Sequence, residues 1–365
     1  FVHFDYKQIK LRASFLTDAK ADMIIYGMGE KSVIEVAKRC KEKLPLTAIP
    51  GTCIRATDKE LQELFNADDL KQPRKFLTLP SYQDILGDSS QFLTAEIEID
   101  KHLRAYSPRV VLQRQQSHWV IQYPPSPPLV QGELDALYSL PYTRKPHPEK
   151  QNIPAHQMIK DSVTIVRGCS GNCSFCSITR HQGPAIVSRS HKSIVEECKT
   201  IAKSPQFSGT ISDLGGPTAN LYGTTCEIGG CKKRDCLYPH TCSHLKIDEE
   251  LFLKLLSEVS NIEEIKHLFI SSGLRMELLL KAPKLMERII TRHTPGSIKI
   301  APEHSDGDVL RLMHKEPHSL LQDFVKKCRE IGRKHKMKSV ELTPYVISSH
   351  PGATAKNNVK LVQDM

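Results

Sequence analysis

No apolar stretch in this sequence approaches the roughly 20 residues that a membrane-crossing helix needs. No charged-then-apolar opening reads as a secretion signal either. A long Lys/Arg block is also missing, so the positive charge is not an evident nucleic-acid tail. With 39% hydrophobic and 25% charged residues, the chain has an ordinary globular composition, not a disordered one. These absences exclude a membrane-crossing helix and leave a reduced, cytoplasmic setting with no membrane partner as the expectation.

The 365 residues suffice for two domains or one large one. The chain opens on Phe1 and closes on "KLVQDM", so it is expected to be a fragment of a longer protein. Its 51 Lys and Arg against 41 Asp and Glu give a formal charge of +10. Such a balance favours anionic partners, nucleic acid among them, or simply a solvated basic surface. Eleven cysteines are the unusual count. Without a secretory signal their default is the reduced thiol with metal or redox roles. Cys40, Cys53, Cys198 and Cys328 stand alone, while the other seven form two groups.

The chain alternates strands and helices. "ADMIIYGMGEKSVIEVAKRC" reads as a strand, a glycine turn and a helix, with Val33, Ile34, Ala37 and Cys40 on one face expected in the core. "AIPGTCIRA" reads as a further strand. "YPPSPPL" at 123–129 must be extended and marks a linker, with more proline-rich chain as far as Pro154. From residue 161 the alternation becomes regular. Strands are expected in "SVTIVRG", "GTISDLGG", "IKHLFISSG", "SIKIAPEH" and "KSVELTPYVISSH", with amphipathic helices between them that pack Cys198 and Cys328. Pro283 interrupts the third of those helices. Repeated strand-then-helix units imply parallel strands and right-handed crossovers. Cys169, Asp213, Ser271, Ser272, Glu303 and His304 gather at strand C-termini, the end where α/β barrels carry active sites. The expected fold is therefore α/β, a partial (β/α) TIM-like barrel over 161–365. It follows an α/β segment at 1–122 and a proline-rich junction at 123–160.

"RGCSGNCSFCSI" places Cys169, Cys173 and Cys176 at C-x3-C-x2-C spacing. A disulfide is disfavoured by the odd number, and structural zinc wants four closed ligands, often as two C-x2-C pairs. Inert core thiols do not suit a loop of glycine, asparagine and serine. An iron–sulfur cluster fits best, and three ligands on a four-iron cube leave one iron open.

This pattern, with Phe175 before the last cysteine and "GG" after the second strand, resembles the radical S-adenosylmethionine (SAM) superfamily. Longer stretches, "IPAHQMIKDSVTIVRGCSGNCSFCSITRHQG", "SDLGGPTANLYG", "IKIAPEH" and "YVISSHPG", are similar to its uncharacterised YgiQ family. "GMGE" and "IPGTCIRA" extend the likeness to the amino-terminal region, which resembles the latter half of a cobalamin-type, Rossmann-like nucleotide-binding domain. No D-x-H-x-x-G cobalamin ligand motif is present, so an interaction domain is expected there.

The resemblance implies a [4Fe–4S] cluster on Cys169, Cys173 and Cys176, whose open iron binds SAM. Reductive cleavage then yields a 5′-deoxyadenosyl radical that takes hydrogen from a substrate the sequence does not identify. It also implies a flavodoxin- or ferredoxin-like electron donor. Phe175 matches the residue that meets the adenine. Gly215 and Gly216 match the first two residues of the family's "GGE", where exposed backbone meets the SAM amino group. Pro217 replaces its glutamate. Ser271, Ser272 and Glu303 stand where ribose or carboxylate contacts are expected, or else as caps of the following helices.

A second group, Cys226, Cys231, Cys236 and Cys242, lies in an insertion at 217–246. Four thiols in a short loop read as a metal site, zinc or a second iron–sulfur cluster, or as free redox-active thiols. Lys232, Lys233 and Arg234 within it would steer an anionic substrate or form a solvated tip. The alternative to a radical SAM enzyme is a zinc- or cluster-bearing nucleic-acid-binding protein without SAM turnover.

Overall fold

Thr52–Ala56 alternates buried and half-buried residues along its length, the pattern of a strand with one face on a core. It is the second strand of a five-stranded sheet in a computed structural model that describes residues 1–104, 107–149, 153–229 and 235–365. The chain divides into two units, 1–128 with 180–183, and 129–179 with 184–365.

In the first unit, β1 (Met23–Ile25), β2 (Thr52–Ala56), β3 (Phe76–Thr78), β4 (Val110–Gln115) and β5 (His118–Gln122) lie in the order β1-β2-β5-β4-β3. Ile54, Ala56, Phe76, Leu112 and Ile121 form its core. The mixed α/β content is as expected. Strand direction is not that of a fully parallel Rossmann-type sheet, since only β3 and β4 pair parallel. The tight β4–β5 hairpin, with Gln116 in the left-handed region, reverses one of the three antiparallel pairs.

The expected core face of helix α1 (Glu30–Glu42) is corrected. Val33, Ile34, Ala37 and Cys40 are exposed, and Ser32 is the buried residue. Ser32 Oγ donates to the Pro50 carbonyl at 2.7 Å, and Arg39 Nη1 donates to the carbonyls of Pro45 and Thr47. Polar contacts thus choose the face, against the apolar period.

In the second unit, β6 (Ser162–Thr164) and β7 (Val166–Arg167) form the first strand, broken at Ile165. β7 pairs antiparallel with the two-residue β8 (Val187–Ser188). β9 (Thr210–Ile211) and β10 (Asp213–Gly215) form the second strand, and β11 (His267–Leu268) the third. β12 (Ser297–Glu303) and β13 (Glu341–Val346) are the fourth and fifth. β6 pairs parallel with β10, β9 with β11, and β12 with β13, and a Leu274–Ile300 bridge links the third strand's end to the fourth. Sequence order is thus spatial order, as in a barrel wall.

Helices α2 (His191–Ala202), α3 (Glu249–Ser260), α4 (Pro283–Arg292), α5 (Gly307–Met313) and α6 (His318–Lys334) follow these strands. Pro283 opens α4 at its first turn, where its missing N–H costs nothing. Cys198 and Cys328 are buried in the core, beside Ile194, Leu256 and Phe324. Residues 129–149 and 153–160 belong to this unit, and the Arg189 guanidinium, fully buried, lies 4.0 Å from the Tyr138 ring.

Candidate active site

The first strand ends in Gly168, whose φ of 80° turns the chain into the cysteine loop. Three neighbours fix that loop. Ser174 donates through its backbone N–H to the Met313 carbonyl at 3.0 Å and through Oγ to the Leu312 carbonyl at 2.7 Å, capping the end of α5. The Asn172 carbonyl lies 3.1 Å from His314 Nδ1, and Asn172 Nδ2 donates to Asp235 Oδ2 at 3.0 Å. Cys236 N–H donates to the Ser170 carbonyl at 3.1 Å. The insertion therefore braces the loop directly.

Cys169, Cys173 and Cys176 all line one cleft of about 140 Å³, together with Phe175, Thr218, Arg275, Glu303 and Lys315. Cys173 is buried, the other two half-buried. Gly171 N–H points at Cys169 Sγ from 3.4 Å, and Arg275 Nη1 lies 3.6 Å from Cys173 Sγ. Burial pushes the Cys169 thiol up, while Arg275 and the Gly171 N–H oppose the rise. A Cβ on Gly171 would stand 2.9 Å from Arg275 Nη1 and 3.4 Å from Cys169 Sγ, so glycine is what lets the two approach.

Around Arg275 lies a buried ionic group. Arg275 Nε donates to Glu277 Oε1 at 2.5 Å, Nη2 lies 3.7 Å from Glu316 Oε2, and Lys315 Nζ stands 3.1 Å from the same oxygen. Burial works against the Arg275 charge, but Glu277, Cys173 and Glu316 outweigh it and hold the guanidinium protonated. Glu303 closes the cleft from the end of β12, in the left-handed region at φ 67°. Burial raises its pKa, partly offset by Lys315.

The other expected contacts lie elsewhere. Ser271 Oγ donates to the Ser212 carbonyl at 2.7 Å, and Ser272 Oγ hydrogen-bonds Asp213 Oδ2. Asp213 Oδ1 also accepts the Ser271 and Ser272 N–H groups at 2.7 and 3.0 Å. Both serines thus tie the second strand to the third. Gly215 and Gly216 sit beside this knot, where a Cβ would fall 2.1 Å from Asp213 Oδ2 and 2.7 Å from the Val166 carbonyl respectively. Cleft contact after the second strand comes from Pro217 and Thr218.

Sequence reasoning missed Arg275, Glu277, Thr218, Lys315 and Glu316. A signal was there, because "LRMELLL" sets Arg275 and Glu277 inside an otherwise apolar run. Charges in such a run are buried and paired, or the helix does not form.

In the second cysteine group, Cys226 lies in a two-residue strand that pairs with Leu245–Lys246, and Cys242 N–H donates to the Cys236 carbonyl at 2.8 Å. Cys231, Lys232, Lys233 and Arg234 lie outside the described residues. Among the described residues, no three His, Cys, Asp or Glu side chains converge closely enough for one metal ion. At the first loop, three thiols spaced around a common cleft, with N–H donors on two sulfurs, fit a polynuclear [4Fe–4S] cluster better than a single ion.

Comparison with known proteins gives the family. A family model described as Radical SAM N-terminal matches residues 1–162, and one described as Radical SAM superfamily matches residues 163–355. A UPF0313 protein of Methanocella arvoryzae is 39% identical over all of this chain and 60% of its own length. One of Thermotoga neapolitana is 36% identical over 98% of this chain and 63% of its own. The chain thus spans about 60% of these curated relatives. A solved structure of the cobalamin-dependent SAM radical enzyme OxsB, with aqua-cobalamin bound, matches 99% of this chain and 37% of that one. It does so at 10% identity and a TM-score of 0.52, a likeness of fold. Because the superfamily match alone runs over more than half of its length, the chain belongs to the radical SAM superfamily.

Proposed function

We propose that this chain carries the catalytic unit of a radical SAM enzyme, with Cys169, Cys173 and Cys176 holding a [4Fe–4S] cluster. The observation that carries the reading is the convergence of all three cysteines on one cleft at the C-terminal end of the first parallel strand. When bound, the cluster supplies one electron to the SAM sulfonium, giving methionine and a 5′-deoxyadenosyl radical that abstracts hydrogen from substrate. A flavodoxin- or ferredoxin-class protein would supply that electron.

The chain's own residues prepare the site. Phe175, 38% exposed beside Cys176, offers a ring face for adenine at the cleft mouth. Thr218, just after the second strand, supplies polar contact. Lys315 and Glu303 add polar groups of opposite kind to the cleft lining, suited to the polar ends of a zwitterion. Outside the cleft, the Asp213–Ser272 pair ties the second strand to the third.

The test is anaerobic reconstitution of the full-length protein with iron and sulfide, then addition of SAM and dithionite. Formation of 5′-deoxyadenosine by wild type, lost in Cys176→Ala, supports the reading. A protein that keeps its cluster yet never cleaves SAM would sink it.

A further inference from the structure

We propose that Arg275 sets the reduction potential of the cluster, and that Glu277 and Glu316 moderate its charge. This rests on the three-cysteine loop being a [4Fe–4S] site. Arg275 Nη1 points at the Cys173 sulfur from 3.6 Å and packs against Gly171 beside Cys169. Its side chain is only 10% exposed, so water does little to screen it. Reduction adds one negative charge to the cluster. A fixed cation against its thiolates stabilises the reduced form more than the oxidised form, which raises the potential. Hydrogen bonds to cluster sulfurs act in the same direction.

The position of Arg275 is fixed from both ends. Its backbone N–H donates to Asn220 Oδ1 at 3.1 Å while Asn220 Nδ2 donates back to its carbonyl at 2.8 Å. The guanidinium is held by Glu277 at 2.5 Å and faces Glu316 at 3.7 Å. Lys315, the other nearby cation, stands 3.1 Å from Glu316, so its charge is compensated there. Of the two cations, Arg275 is the one that presents N–H to sulfur. Two carboxylates behind it reduce the field that the cluster feels. Arg275 is a positioning residue by this account, acting through the cluster and not on substrate.

A mere strut between the loop and Glu316 would explain the burial equally well, but it predicts no paired, opposite shifts of potential. Neutralising Arg275 should lower the potential, whereas neutralising Glu277 should raise it. Glu277→Gln suits the second change, because the amide keeps an oxygen for Arg275 Nε. Its new NH2 takes the place of Oε2, which has no hydrogen-bond partner among the described residues.

The experiment is a potentiometric titration of anaerobically reconstituted full-length protein, read by electron paramagnetic resonance and iron content, with no turnover required. Arg275→Met should cut the reduced-to-oxidised ratio at fixed ambient potential at least tenfold, about 59 mV for a one-electron couple. Arg275→Lys should stay within about threefold of wild type, and Glu277→Gln should move in the opposite direction to Arg275→Met. An Arg275→Met protein that keeps its iron and titrates like wild type overturns the proposal. So does a Glu277→Gln shift that is absent or downward, which decides the matter if Arg275→Met does not hold iron. Wild type that takes up no cluster would instead defeat the underlying reading of the cysteine loop.

Discussion

Asn172, inside the three-cysteine loop, donates through Nδ2 to Asp235 Oδ2 of the cysteine-rich insertion at 3.0 Å. The bond crosses 63 residues of sequence, and next to it Cys236 N–H reaches the Ser170 carbonyl. The second cysteine segment is therefore a brace for the first. Tyr238 adds to it by stacking on His314, whose ring also meets Asn172.

Loss of this brace should loosen the cluster before it unfolds the barrel. A hydrogen bond to a charged group is worth about 1.5–3 kcal/mol. Asp235→Ala should therefore lose iron to a chelator roughly 10-fold faster than wild type or more, while Asp235→Asn loses it at an intermediate rate. Chelator-challenge kinetics measured at constant protein fold, followed by circular dichroism, check this. Equal rates for all three proteins would show that the insertion does not support the loop.

Gly215 and Gly216 should tolerate no side chain. At Gly216 the obstacle is the Val166 backbone carbonyl, 2.7 Å from an added Cβ, and backbone cannot swing aside. Overpacking of this kind costs about 1–3 kcal/mol, so Gly216→Ala should lower the melting temperature by several degrees. At Gly215 the obstacles are Asp213 Oδ2 and Ser272 Oγ, both at 2.1 Å. Adding Ser272→Ala should recover only part of the loss, since the carboxylate stays. Thermal melts of the two single variants and the double variant test the order.

In the first unit, His102 gives stability a pH dependence. The side chain is 1% exposed, and neither ring nitrogen has a hydrogen-bond partner among the described residues. Burial, with the Arg109 charge adding to it, holds its pKa down to about 4. The folded state therefore keeps the ring neutral while the unfolded chain protonates near 6.5. A lowered folded pKa means the stability is fully present above about 6.5 and is lost as pH falls toward 4. His102→Leu should flatten that slope. Melting temperatures at pH 7.5 and 5, compared between wild type and variant, decide it, and parallel slopes would exclude His102 as the cause.

Much of the barrel was legible because its strands are short apolar runs at regular spacing and its helices carry one apolar stripe each. The period fixes both, and Pro283 broke the third helix where expected. The cysteine loop was legible because thiols at that spacing have few uses. What stayed hidden depends on contacts far apart in sequence. The exposed face of α1 follows from Ser32 and Arg39 reaching loop carbonyls, which no local period encodes. Arg275 meets Cys173 across 102 residues. The fate of Ser271 and Ser272 turned on Asp213, a residue that the sequence places at a strand end without showing whom it binds.

That last point separates two roles by experiment. If the hydroxyls of Ser271 and Ser272 only tie strand ends together, their removal should cost stability and leave SAM affinity alone. Ser271→Ala loses one bond to a neutral carbonyl, about 1 kcal/mol, and Ser272→Ala one to a carboxylate, about 1.5–3 kcal/mol. Both should lower the melting temperature, Ser272→Ala by more, and both should bind SAM within about twofold of wild type by calorimetry. Phe175→Ala and Thr218→Val change residues that line the cleft, so they should weaken SAM binding with little effect on melting. A tenfold loss of SAM affinity in Ser271→Ala, at unchanged melting temperature, would return that hydroxyl to the ribose.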